Sequence, residues 1–176
     1  MEENLKYYEE NLIKRDQAQK ALQNAEILHD TFIDSRDMVL GGLYGKIKDR
    51  FVELYRQLHG DDEEDFDAHL ASEGAGVDFK VSFHGEGTHP PHALHSEGHQ
   101  DSMGICLYLA LAEELTEGYI DLIILDDVMM SVDAPHRRQI CHLLADFFKG
   151  KQFFITTHDQ TWARQLKNES VVKIKK

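Results

Sequence analysis

Apolar positions along this chain change rhythm twice. Over residues 2–33 they are sparse and fall three or four apart, through Ala18, Ala21, Leu22, Ala25, Leu28 and Phe32. That spacing predicts a helix packed along one side only. Asp34-Ser35 then offers a cap for a second helix, which carries Leu43, Ile47, Phe51, Leu54 and Leu58 on one face and ends at Gly60. Residues 77–84, VDFKVSFH, alternate strictly, with Val77, Phe79, Val81 and Phe83 on one side. A half-buried strand is predicted there, in an antiparallel pair or at a sheet edge. Residues 85–95, GEGTHPPHALH, read as loop.

From residue 100 the pattern changes again. A helix over 100–117 leads to the apolar run IDLIILDD (120–127), a helix over 134–148, and KQFFITTH (151–158). A short helix near 159–167 and the run VVKIK (171–175) complete the chain. Short continuous apolar strands alternating with helices predict an α/β fold with a parallel sheet covered on both faces. No internal repeat is present.

Composition narrows this picture. The 176 residues suffice for one domain with a real core, and 41% apolar with 29% charged content is that of a globular chain. No apolar run is long enough to cross a bilayer, and MEENLKYYEE is unlike a signal peptide. Cys106 and Cys141 both lie in apolar helical patterns, so free buried thiols and a cytoplasmic location are expected. The net charge of −13 makes the chain a poor grip for a phosphate backbone, which needs clustered Lys and Arg. Part of that acidity, DDEEDFD (61–67), reads as a solvated loop.

Three short stretches carry candidate chemistry. LIILDD ends a buried strand in Asp126 and Asp127, at the carboxyl end where α/β proteins bind ligands. Two adjacent carboxylates there need a compensating cation or proton, and magnesium carried on a nucleotide phosphate supplies one. The plain alternative is a turn capped by aspartate. FFITTH likewise ends a strand in His158, either a phosphate contact or a satisfied surface histidine. HSEGHQ (95–100) places Ser96 and Gly98 before a helix, where outward N–H groups make an anion site or simply an N-cap.

In this order the three resemble the C-terminal half of an ABC-type ATPase head, in the branch of SMC, RecF and RecN proteins. HSEGHQ sits where that family has its Leu-Ser-Gly-Gly-Gln signature, LIILDD resembles the Walker B strand, MSVD (130–133) the D-loop, and ITTH the switch histidine. The resemblance covers most of residues 35–175. It implies a C-terminal lobe over 35–176, with 1–34 as the end of a coiled coil. It further implies Asp126 holding Mg2+, Asp127 activating water and His158 contacting the γ-phosphate of ATP. Ser96, Gly98 and His99 would meet ATP bound to a second head, and Asp133 would reach across that dimer interface. DNA is implied as a partner by family analogy alone.

Departures accompany the likeness. His95 replaces Leu, Glu97 replaces Gly, His99 stands for Gln or Glu, Asp127 for Glu, and Met130 for a small residue. No GxxxxGK[ST] loop occurs, and GGLYGKI (41–47) has the wrong spacing and no hydroxyl. The expectation is therefore a lobe inactive alone, partnered by an N-terminal lobe that carries the phosphate loop in the same or another chain. Two rivals remain open: a degenerate lobe that only docks partners, and a metal-binding region built from His84, His89, His92, His95 and His99.

Overall fold

A computed structural model describes residues 2–60, 63, 65–73, 76–83, 85, 87–93, 96–116, 119–128, 132–169 and 171. The chain divides into two units, Met1–Gly42 and Leu43–Lys176. Helix α1, Glu2–His59, begins in the first and ends in the second.

The first unit is helix throughout its described residues. Asp34 and Ser35 lie inside α1 and do not start a second helix. A cap residue ends a helix only where the backbone before it has left helical torsions, and nothing here forces that departure. The apolar stripe expected to pack stays open: Leu22 is 59%, Leu28 72% and Phe32 65% exposed.

In the second unit α1 buries Ile47, Phe51, Leu54 and Leu58 of the face its spacing predicts, with Leu43 half-buried, and buries Tyr55 as well. Aromatic rings gather there, with Phe51 5.5 Å from both Phe66 and Phe79, and Tyr55 4.1 Å from Phe66. Strands β1 (Asp67–Glu73), β2 (Gly76–Ser82) and β3 (Thr88–His89) form an antiparallel sheet in that order. The predicted strand is β2, paired with β1 from Asp67↔Ser82 to Glu73↔Gly76. Two sequence expectations fail here. Phe66 and Glu63, in the run read as a solvated loop, are buried, and β3 forms within the predicted loop. Phe66 drives the first change, because burying an aromatic ring outweighs the solvation of its acidic neighbours.

Helix α2, Glu97–Thr116, is buried through Met103, Ile105, Cys106, Leu109 and Ala110. It starts about a turn earlier than its apolar pattern indicates. An ion pair, Arg50 Nε to Glu113 Oε2 at 2.6 Å, ties it to α1. Strand β4 (Leu122–Asp126), helix α3 (Ala134–Phe147), strand β5 (Gln152–Thr156) and helix α4 (Gln160–Asn168) follow. The two strands pair in parallel, from Leu122↔Gln152 to Asp126↔Thr156, joined through α3 as the pattern predicts. One face of this small sheet sends Ile123 and Leu125 into the core. The other is open, contrary to the expectation of cover on both faces: Leu122 is 46%, Ile124 52% and Phe154 59% exposed. The run VVKIK lies outside the described residues except for Val171. Among the described residues no helix is long and apolar enough to cross a membrane.

Candidate functional site

Parallel pairing brings the ends of β4 and β5 side by side, and four polar residues meet there. The register sets Asp126 opposite Thr156. The Thr156 hydroxyl donates to Asp126 Oδ1 and accepts from the Asp127 N–H at 3.1 Å. The same N–H also lies 3.1 Å from the Thr156 carbonyl. Thus a hydroxyl at one strand end fixes both acids at the other.

Asp127 turns sharply out of the strand with φ of +49°, the left-handed region that L residues seldom occupy. Aspartate tolerates that torsion better than most, and such strain concentrates where a side chain must be aimed. Here the aim is His158. Its Nδ1 is 2.8 Å from each Asp127 carboxylate oxygen, and its backbone N–H is 3.4 Å from Oδ1. A carboxylate only accepts, so Nδ1 carries the proton, leaving Nε2 as the far working atom of the ring. Both side chains are open to solvent. Among the described residues no ion pair engages Asp126, so its carboxylate and that of Asp127 present paired negative charge at a strand end. That donor set suits a hard divalent cation.

A second cluster gathers around the N-termini of α2 and α3. Ser96 acts as the cap of α2: its carbonyl accepts from Gln100 N–H at 3.0 Å and its hydroxyl lies 3.4 Å from the His99 N. Glu97, Gly98 and His99 therefore belong to the first helical turn. Asp133 caps α3, accepting from the His136 N–H at 3.0 Å and facing His136 Nδ1 at 2.6 Å. The backbone N–H of His136, with its ring, holds the Asp133 carboxyl below the usual carboxylate range. Ser96, Glu97, Gly98, His99, Asp133, His59 and His136 line one cavity of about 490 Å3.

The predicted site residues thus fall into two groups, Asp126, Asp127 and His158 in one, Ser96, Gly98, His99 and Asp133 in the other. His84, His95 and Met130 lie outside the described residues. His89 sits in β3 stacked on Phe83, and His92 is exposed. Sequence reasoning missed His136 and His59. The first has a legible signal, because it stands three residues after the capping Asp133; the second has none, being one more residue on an amphipathic face.

With this geometry the chain was compared with known proteins. Its fold is that of the C-terminal region of an SMC head. One similar structure, of SMC ATPases studied for ATP-driven dimerisation and DNA-stimulated activation, matches with a TM-score of 0.58 at 16% identity, over 73% of this chain and 77% of that chain. The Pyrococcus furiosus Smc head with an extended coiled coil, bound to the C-terminal domain of ScpA, gives 0.56 at 15% identity, over 75% of this chain. A Pyrococcus yayanosii Smc head with a coiled coil and joint gives 0.57 at 15%, over 80%. This chain spans only 33% and 26% of those two. No protein-family profile matches the sequence, and no curated protein matches it either. The likeness to SMC heads is therefore one of fold.

Proposed function

We propose that this chain is the C-terminal lobe of an SMC-like ATPase head, of the kind that hydrolyses ATP between two heads. The observation that carries the reading is the strand-end constellation, in which Thr156 holds Asp126 and Asp127 while Asp127 holds His158. Magnesium bound with ATP would be held through Asp126 and would neutralise charge developing on the phosphates. Asp127 accepts a hydrogen bond from the attacking water and keeps His158 in one orientation. His158 presents Nε2 toward the γ-phosphate. Ser96, Gly98 and His99 meet the ATP of a second head, and Asp133 lies along that head–head contact while capping α3.

Two further features support a larger head. The open face of Leu122, Ile124 and Phe154 has the apolar character of a sheet interior, which fits a neighbouring lobe that brings the phosphate loop. The exposed stripe of residues 1–34 fits the end of a coiled coil. We further infer a RecF-like or RecN-like relative acting in DNA repair, chromosome maintenance or genome defence, in the cytoplasm; the SMC-like fold and the paired aspartates support this reading. A partner supplies basic surface for DNA, since this chain carries −13. Glu97, in the turn that would approach phosphate, favours as a second reading a lobe that docks without turnover.

The test joins this chain to its phosphate-loop lobe. Turnover of Mg-ATP is expected, falling about 10²–10⁴-fold in Asp127→Asn with nucleotide binding retained, the range of a lost general base. Binding without hydrolysis in the unaltered head would establish the second reading. The chain alone is expected to show no calorimetric binding of Mg-ATP.

A further inference from the structure

We propose that His59, His99 and His136 are the ligands of a zinc-class divalent metal site where α1, α2 and α3 meet. The inference rests on these side chains and makes no use of the ATPase reading.

His59 is the anomaly that points there. It ends α1, is only 4% exposed, and among the described residues neither ring nitrogen has a hydrogen-bond partner. Buried polar nitrogens without partners are uncommon and ask for an explanation. Two other imidazoles approach it, His136 with ring centres 4.5 Å away and His99 at 5.1 Å. Three imidazoles on one tetrahedral ion, with bonds of about 2.0–2.1 Å, place their ring centres about 5 Å apart. The remaining pair, His99 and His136, stands at 6.4 Å.

Each outer histidine has a carboxylate behind it. Asp133 Oδ1 is 2.6 Å from His136 Nδ1, and Glu63 Oε1 is 3.7 Å from His99 Nδ1. The carboxylate bonded to His136 Nδ1 favours the tautomer in which Nε2 faces the ion, the usual second layer of histidine metal sites, while Glu63, beyond hydrogen-bond reach, gives His99 electrostatic support only. Glu63 is itself buried.

As the side chains stand, no three or more His, Cys, Asp or Glu among the described residues are placed to hold a metal ion, so the site requires the rings to move. Closing the wide pair takes ring movement of about one ångström, judged against the same spacing. His99 and His136 both border the cavity, with side chains 37% and 27% exposed, so that movement disturbs no packed core. Imidazole ligands select zinc, nickel, cobalt or copper over magnesium or calcium. Because the three histidines come from three elements, loading would clamp the start of α2 to the start of α3.

The test titrates cobalt(II) into the metal-stripped 176-residue chain, reads its visible ligand-field absorption, and then displaces it with zinc. One equivalent is expected, weakened at least tenfold in His136→Gln and in His99→Gln, each checked for fold by circular dichroism. The double variant His89→Gln/His92→Gln should bind like the parent. Zinc should also raise the thermal midpoint of the parent but not of His136→Gln. Absence of a cobalt band up to about 1 mM metal overturns the proposal. So does binding that survives in the cluster variants, or that is lost in the loop variant.

Discussion

His59 makes the fold sensitive to acid within a definable window. Its ring is packed against Tyr55 and His136, with His99 and Asp133 close by, and it protonates only near about 3, against 6.5 when free. Between those values the unfolded chain binds a proton that the folded chain refuses, so stability falls as pH drops from 6.5 toward 3. Asp133 acts at the lower end, because a depressed carboxylate yields its contribution only as pH falls below its ordinary value of 3.8. A thermal midpoint that is flat above neutrality and declines from about pH 6.5 is the expected profile. His59→Gln should flatten the decline between pH 6.5 and 4. An unchanged slope would assign it to other groups.

Among the elements, the C-terminal half of α1 organises the second unit. Phe51 is fully buried and touches rings from the segment before β1 and from β2. Phe51→Ala is expected to cost about 3–5 kcal/mol in denaturant unfolding, the range for an aromatic removed from a core. A cost below about 1 kcal/mol would mean the cluster is not central to stability. The helices of this region and the β4–α3–β5 unit were legible from periodicity, since apolar spacing reports burial directly. Strand β1 was not, because DAHLASE has only Leu70 and small residues to mark an inward face, and pairing with β2 decides its conformation. The break expected at Asp34-Ser35 failed for a related reason: capping residues permit a helix to start and do not compel it. Within the site, the strand-end acids and His158 could be read from abrupt polar endings of apolar runs. The linking role of Thr156 could not, because it depends on register across two strands.

On the scale of the whole molecule, the open sheet face is where the proposed phosphate-loop lobe would sit. Leu122, Ile124 and Phe154 form a row of apolar side chains on a sheet of two strands. Ile124→Asp with Phe154→Asp should change the chain's own unfolding by less than about 1 kcal/mol, because exposed positions seldom contribute more. The same pair should abolish co-purification with a phosphate-loop lobe. Retained association would place that lobe elsewhere.

Cys106 and Cys141, in α2 and α3, are free and buried, and burial pushes both thiols up, Cys141 to about 12. A thiol in that condition is nearly inert until its helix lifts away. The protein therefore carries two built-in clocks, one in each of the helices whose first turns share a cavity. Their separate labelling rates time how often each helix opens, and a difference between them would reveal that the two open independently.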